Sequence, residues 1–204
     1  MENIAADWTS LPEGISSESL WVTLHDGHLE SIVSDLAAGS ITLTFLVEYV
    51  ARFHQLPGGT RFILRFEGVS SVRAISSFPF PAEPIIPAIA TKEEARQLRQ
   101  KYDPKWREQS VDWGALEEQL RIYEESIDIY NVELARDSDQ VAMKLDGMLW
   151  DEKAYREAFY RLFIRANTVQ FSDTNGGDYD LDQFQELGGR YWEAFGKRAP
   201  NDAH

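Results

Sequence analysis

The chain has 204 residues, 43% of them hydrophobic, and carries 6 Trp, 8 Tyr and 11 Phe, enough apolar bulk to bury a core and to exclude a disordered polypeptide. It has no cysteine, which excludes disulfides, thiolate metal sites, iron–sulfur clusters and cysteine nucleophiles. The net charge of −14 falls as −5 in residues 1–76, −3 in 77–125 and −6 in 126–204 with no basic stripe, which argues against nucleic acid and anionic membrane as partners.

The opening, residues 1–18, is polar and irregular, without the apolar stretch of a signal peptide. No apolar run approaches the ~18 residues a membrane span needs, so the expected compartment is the cytoplasm. From Ser19 the alternation of Leu20, Val22 and Leu24 with Trp21 and Thr23 predicts a short strand. Two further strands are predicted over Leu29–Asp35 and Ser40–Val47, joined by a hairpin turn at Ala37-Ala38-Gly39. Tyr49, Val50, Phe53 and Leu56 fit a helical stripe that Pro57-Gly58-Gly59 ends. The run Thr60–Ile75 reads as one long strand, bent or bulged at Gly68.

Phe78 to Pro87 holds four prolines, a stretch that neither a helix nor a central strand tolerates, and it reads as an extended connector. Thr91 and Glu94 form a capping-box pattern opening a helix to about Tyr102, stopped by Asp103-Pro104. A second helix is predicted over Asp112–Glu125 with Trp113, Leu116, Leu120 and Tyr123 inward. Strand patterning returns at Ser126–Asp137 and Gln140–Trp150, and again at Tyr160–Ser172. Asp173–Gly177 reads as a turn. Asp180 then caps a last helix, with Gln183 in the reciprocal position and Gly188-Gly189 allowing close packing. Residues 197–204 are expected to fray.

These elements give an α+β fold: mainly antiparallel sheet, a central helical insert and a C-terminal helix, in one compact unit of residues 1–204. The parts are a first β half at 19–76, a connector and helical insert at 77–125, and a second β half with its helix at 126–204. Ile63-Leu64-Arg65-Phe66 lies 100 residues before Phe163-Ile164-Arg165-Ala166. Each follows two β runs, so the halves read as similar units; shared strand propensity explains the likeness equally.

Two polar clusters stand out. In His25-Asp26-Gly27-His28, imidazole and carboxylate are metal ligands and proton carriers. On a strand Asp26 and His28 would share a face and His25 would point away; the plainer reading is a strand-end turn at Asp26-Gly27, with the histidines satisfying local hydrogen bonds. Asp173 to Asp182 is oxygen-rich, but a calcium loop wants Gly at its sixth position and Glu at its twelfth, where Asp178 and Phe184 stand. A turn followed by an acidic helix start accounts for it better. Arg61, Arg65, Arg161 and Arg165 on predicted strands read as partners of cross-strand acids.

The opening Leu24-His25-Asp26-Gly27-His28-Leu29-Glu30-Ser31-Ile32, with Phe66-Glu67-Gly68-Val69 after it, resembles an uncharacterised β-rich bacterial family. Its His-Asp start is also similar to immunity proteins of bacterial toxin systems. The resemblance covers residues 20–75 and implies a small cytoplasmic protein that binds a cognate toxin; it implies no catalytic residue. The resulting expectation is a non-enzymatic, immunity-like binding module that meets a basic protein partner and calls for no cofactor. The alternative is a metal-dependent enzyme or small-molecule module centred on His25, Asp26 and His28.

Overall fold

The computed structural model describes residues 18–80, 91–101, 105–123, 125–136, 140–151 and 156–198. The predicted lead-in before residue 18, most of the proline-rich connector, the Asp103-Pro104 stop and, of the residues expected to fray, those beyond 198 lie outside them. Among the described residues are ten strands and five helices, and every strand pair is antiparallel. The α+β class read from the sequence is what the chain adopts. No helix among the described residues is long and apolar enough to cross a membrane.

In chain order the elements are α1 (Glu18–Leu24), β1 (His28–Asp35), β2 (Ser40–Leu46), α2 (Glu48–Phe53), β3 (Phe62–Glu67) and β4 (Ser71–Phe80). They continue as α3 (Lys92–Lys101), β5 (Lys105–Val111), α4 (Trp113–Tyr123), β6 (Ile127–Arg136), β7 (Val141–Asp151), β8 (Arg156–Ala166), β9 (Thr168–Asp173), β10 (Asp178–Tyr179) and α5 (Leu181–Arg198). The predicted strand at Leu20–Leu24 is instead α1. Leu20, Thr23 and Leu24 are all fully buried, the i, i+3, i+4 spacing of one helix face, and five residues are too few for alternation to exclude that.

The sheet runs β10-β9-β3-β2-β1-β6-β7-β8-β4-β5. Exchanging β1–β5 with β6–β10 reverses this order and leaves it otherwise unchanged, so the chain has a pseudo-twofold axis between β1 and β6. The ladders carry the same symmetry. His28 pairs with Asp128 and Leu29 with Ile127, while the Ile129 amide donates to the Gly27 carbonyl at 2.9 Å as the mirror image. Both first strands are bulged at matching places, between Leu29 and Ser31 and between Ile129 and Asn131. The helices follow suit: α1 precedes β1 but packs on β6, and α4 precedes β6 but packs on β1. The two similar β halves therefore share one sheet.

The run Thr60–Ile75 is not one bent strand. It breaks at Gly68, whose φ of +66° belongs to the left-handed region, and β4 leaves to pair with β8 on the far side. Reciprocally, the predicted strand Tyr160–Ser172 breaks at Asn167, where β8 ends and β9 leaves to pair with β3. The Asn167 amide donates to the Glu67 carbonyl and the Ser70 amide to the Arg165 carbonyl, each at 2.9 Å. In a flat sheet β3 and β8 would stand about 24 Å apart, five strand spacings. The sheet is therefore curled until the two crossings touch.

One face of this curl is the core. Ile41, Leu43 and Phe45 on β2, Phe62, Leu64 and Phe66 on β3, and Leu145, Leu162 and Ile164 in the second half are fully buried. Leu20 and Leu24 of α1, Leu116 of α4 and Phe184 of α5 complete it. Pro79 lies in β4 beyond the last β8 pair at Ser77, where its only strand neighbour is β5, so its missing N–H interrupts no central ladder. Both predicted caps form: Thr91 N donates to Glu94 Oε2 at 2.8 Å, and Gln183 N donates to Asp180 Oδ1 at 2.8 Å.

The glycine pair of α5 behaves as two different residues. A methyl group at Gly188 would lie 1.9 Å from the Val22 carbonyl oxygen of α1, whereas at Gly189 it would meet nothing within 4 Å. Gly188→Ala should therefore cost about 2–3 kcal/mol through forced separation of α1 and α5. Gly189→Ala should raise stability by up to about 1 kcal/mol through helix propensity. Opposite displacements of the urea unfolding midpoint are the expected result.

Candidate functional site

The His25-Asp26-Gly27-His28 segment is a turn leading into β1, as the turn reading of Asp26-Gly27 expects, and it sends its histidines to different places. Asp26 has a φ of +57°, so it does not share a pleat with His28 as strand geometry required. His25 ends α1 among aromatic rings, its centroid 4.4 Å from Trp21 and 5.9 Å from Trp192. The Tyr49 hydroxyl donates to the His25 carbonyl, and the Trp192 indole donates to the Val22 carbonyl at 2.8 Å. Burial, then the charge of Asp26 and the neighbouring Tyr191 phenol, hold the Tyr49 hydroxyl well above its ordinary value, so it remains a donor. This cluster ties α1 to α2 and α5.

His28 begins β1 on the opposite side. Leu29, Ile127 and Ile129 point into the core, so the alternating His28 and Asp128 point out of it. His28 Nδ1 lies 2.7 Å from Asp128 Oδ1, which requires a proton on Nδ1. His25 and His28 thus lie on opposite faces of the sheet. Among the described residues no three His, Asp or Glu side chains gather in a metal-binding arrangement.

The other oxygen-rich segment also forms a turn. The buried Asp173 carboxylate accepts from the Asn175 amide at 2.7 Å, the Gly177 amide at 3.1 Å and the Tyr179 hydroxyl at 2.5 Å. Burial alone would raise its pKa, but the bonds from Tyr179, Gly177 and Asn175 together hold it below the ordinary 3.8. Its oxygens face the chain's own donors, as the turn reading of this segment expects.

A more distinctive place lies on the outer face of the second half. Direct cross-strand partners share a face, and the ladders string one outward row from His28 through Asp128, Met148, Phe159 and Ser77 to Glu108. Trp106 of β5 joins it, 55% exposed, with its ring centroid 5.3 Å from that of Phe159 at an interplanar angle of 65°. Tyr130, the bulged residue of β6, is 43% exposed and lies 5.9 Å from Phe159 on the other side. The Tyr130 hydroxyl reaches Met148 Sδ at 3.4 Å.

Between Trp106 and Phe159 is a hollow of about 320 Å³ that also touches Ser77, Asp146, Gly147, Tyr160 and Arg161. None of its walls is His25, Asp26 or His28. Arg161 donates through Nε to Asp146 Oδ1 at 2.8 Å, and Lys144 Nζ stands 3.0 Å from Asp146 Oδ2. The hydrogen bond to Asp146 raises the Arg161 pKa against the opposing effect of burial, with the charges of Asp146, Glu108 and Glu133 adding to it.

The pseudo-symmetry supplies an internal comparison. The bulge residue equivalent to Tyr130 is Glu30, and the residue before the first ladder pair of β3, equivalent to Phe159, is Arg61. There a carboxylate meets a guanidinium, with Nε to Oε2 at 2.6 Å and Nη2 to Oε1 at 3.1 Å. One framework position thus holds a two-pronged ion pair in the first half and an aromatic pair, exposed Tyr130 on half-buried Phe159, in the second. The expected pairing of strand arginines with cross-strand acids holds for Arg61 with Glu30 and Arg161 with Asp146, whereas Arg65 pairs with Glu67 on its own strand.

Sequence reasoning did not single out Trp106, Tyr130 or Phe159. One signal was present: Ala158-Phe159-Tyr160 is apolar on both faces, where a half-buried strand should alternate. No family model matches the chain, and no curated protein or solved structure matches it.

Asp173→Asn is expected to lower stability by about 1–3 kcal/mol at pH 7, by replacing an acceptor-only group among three donors. Because the folded pKa of Asp173 lies below its ordinary 3.8, the ionised group stabilises fully above that value. The benefit is lost as pH falls through the folded value. Denaturation midpoints of the two proteins should therefore differ near neutrality and converge in acid.

Proposed function

We propose that the chain is a non-catalytic protein-binding module whose docking surface is the outer face of β5, β4, β8, β7 and β6. The observation that carries this reading is the aromatic ridge Trp106–Phe159–Tyr130, exposed at Trp106 and Tyr130 and half-buried at Phe159, standing where the equivalent framework position holds an ion pair. A framework that accepts an ion pair there does not itself call for a ridge of rings that reaches solvent. Exposed aromatic residues beside a charged pair are the composition of interface hot spots, where Trp, Tyr and Arg dominate.

The chemistry of the partner follows from charge. The outward row and its neighbour contribute Asp128, Glu108 and Asp146, of which Asp146 is paired with Arg161 and Lys144, within a chain of net charge −14. A basic partner is steered to such a surface and an acidic one repelled. The finer form of the reading, that the partner is a cognate toxin neutralised by capping, is supported by the resemblance of residues 20–75.

The experiment is capture of partners by cross-linking in the producing cell, followed by affinity measurement with the purified partner. Trp106→Ala should weaken binding by about thirtyfold, the equivalent of a hot-spot truncation near 2 kcal/mol. Ile122→Ala, which alters an exposed apolar residue of α4, should change it less than threefold. Binding should also weaken with added salt. A purified partner that holds Trp106→Ala as tightly as the parent would remove this face from the reading.

A further inference from the structure

We infer that the hollow between Trp106 and Phe159 seats one cationic side chain of the partner, an arginine or a lysine. This rests on the protein-binding reading above and names what the site recognises. The two rings cross at 65° with centroids 5.3 Å apart, so half-buried Phe159 forms a floor and Trp106 a wall. Such a corner offers a guanidinium or ammonium the face of an indole, the strongest of the aromatic partners for a cation. At about 320 Å³ the hollow sits at the small end of ligand sites and opens on a broad strand face, which suits one side chain of a larger partner.

The sign of the occupant is set by the carboxylates. Arg161, the one guanidinium on the wall, is clamped to Asp146 and feels Glu108 and Glu133 as well. An anion entering the hollow would meet Asp146 on its wall and Glu108 beside it, while the two cations nearby, Arg161 and Lys144, both already engage Asp146. An incoming cation would instead find the indole face and Glu108, whose Oε1 accepts a long 3.4 Å bond from Ser77 Oγ. Glu108 and Trp106 are two residues apart on one strand and share its outer face. The equivalent place in the first half lacks this chemistry: Arg61 stands where Phe159 does, and β10, the counterpart of β5, has only two residues.

The test uses the full chain with nitrogen-15 in its tryptophan indoles and three capped tripeptides, Gly-X-Gly, with X as arginine, lysine or citrulline. Citrulline keeps the shape of arginine and removes its charge. The Trp106 signal is assigned as the one missing from Trp106→Phe. Arginine and lysine peptides should shift it saturably at low salt, with citrulline at least tenfold weaker. Glu108→Gln should weaken the arginine peptide at least threefold while the other indole signals keep their positions, which reports an intact fold. Equal binding of the citrulline peptide, or shifts confined to other indoles, would overturn the inference.

Two failures remain distinguishable. Arginine-selective shifts at Trp106, with full partner affinity in Trp106→Ala, would overturn the docking face. A partner that needs Trp106 yet is indifferent to Glu108→Gln, together with charge-blind peptides, would overturn the cationic occupant alone.

Discussion

Two backbone hydrogen bonds at the crossing of the halves fix the rest of the architecture. Glu67 and Arg165, each at the end of its ladder with the strand arriving from the other half, accept from Asn167 and Ser70 respectively, and each bond is the pseudo-symmetric image of the other. For them to form, a sheet that twists must curl far enough to bring its third strand from one side of the axis against the third from the other. The chain at Gly68 is covered by the Asn167 side chain, and a methyl group there would lie 2.3 Å from its Nδ2 and 2.9 Å from its Cβ. It also requires positive φ, which glycine adopts without steric cost.

This exchange makes the halves interdependent. The fourth strand of each half completes the sheet beside the third strand of the other, and each leading helix covers the other half's first strand. Neither half alone would cover its apolar face or satisfy the edge of its third strand. Folding must accordingly bring together residues about a hundred positions apart, such as His28 and Asp128, before the local pairings are fully supported. Such topologies pay loop-closure entropy early and fold slowly for their size.

Sequence legibility followed the difference between the two faces of each element. β2, with Ile41, Leu43 and Phe45 buried and Thr42 and Thr44 half-buried, could be read directly, as could the helices with capping residues. β5 left no trace because Lys105 to Ser110 are exposed on both faces, so no period is written into them. The crossings at Gly68 and Asn167 were hidden because apolar alternation continues through each break, and only the pairing partner changes. The internal likeness was visible but out of step. The ladders match Leu64 to Leu162, whereas the 100-residue echo matched Leu64 to Ile164, a slip of two that preserves the face. The His25-Asp26-Gly27-His28 cluster drew attention through residue type alone, and the structure divides it between two sides of a sheet.

Within a symmetric frame, function is most visible where symmetry fails. Equivalent positions experience the same backbone geometry, so bulge, pleat and neighbouring strand cannot explain why Glu30 and Arg61 became Tyr130 and Phe159. Stability does not require the change either: a pair of ions with two matched hydrogen bonds is well suited to a half-exposed site, whereas rings left in water forgo part of their burial energy. What accompanies the aromatic pair is a longer partner strand. β5 has seven residues to the two of β10, and it is β5 that carries Trp106 to the edge of Phe159. An extended arm and a ring pair that reaches solvent arise together on one half, and the docking surface proposed above accounts for both.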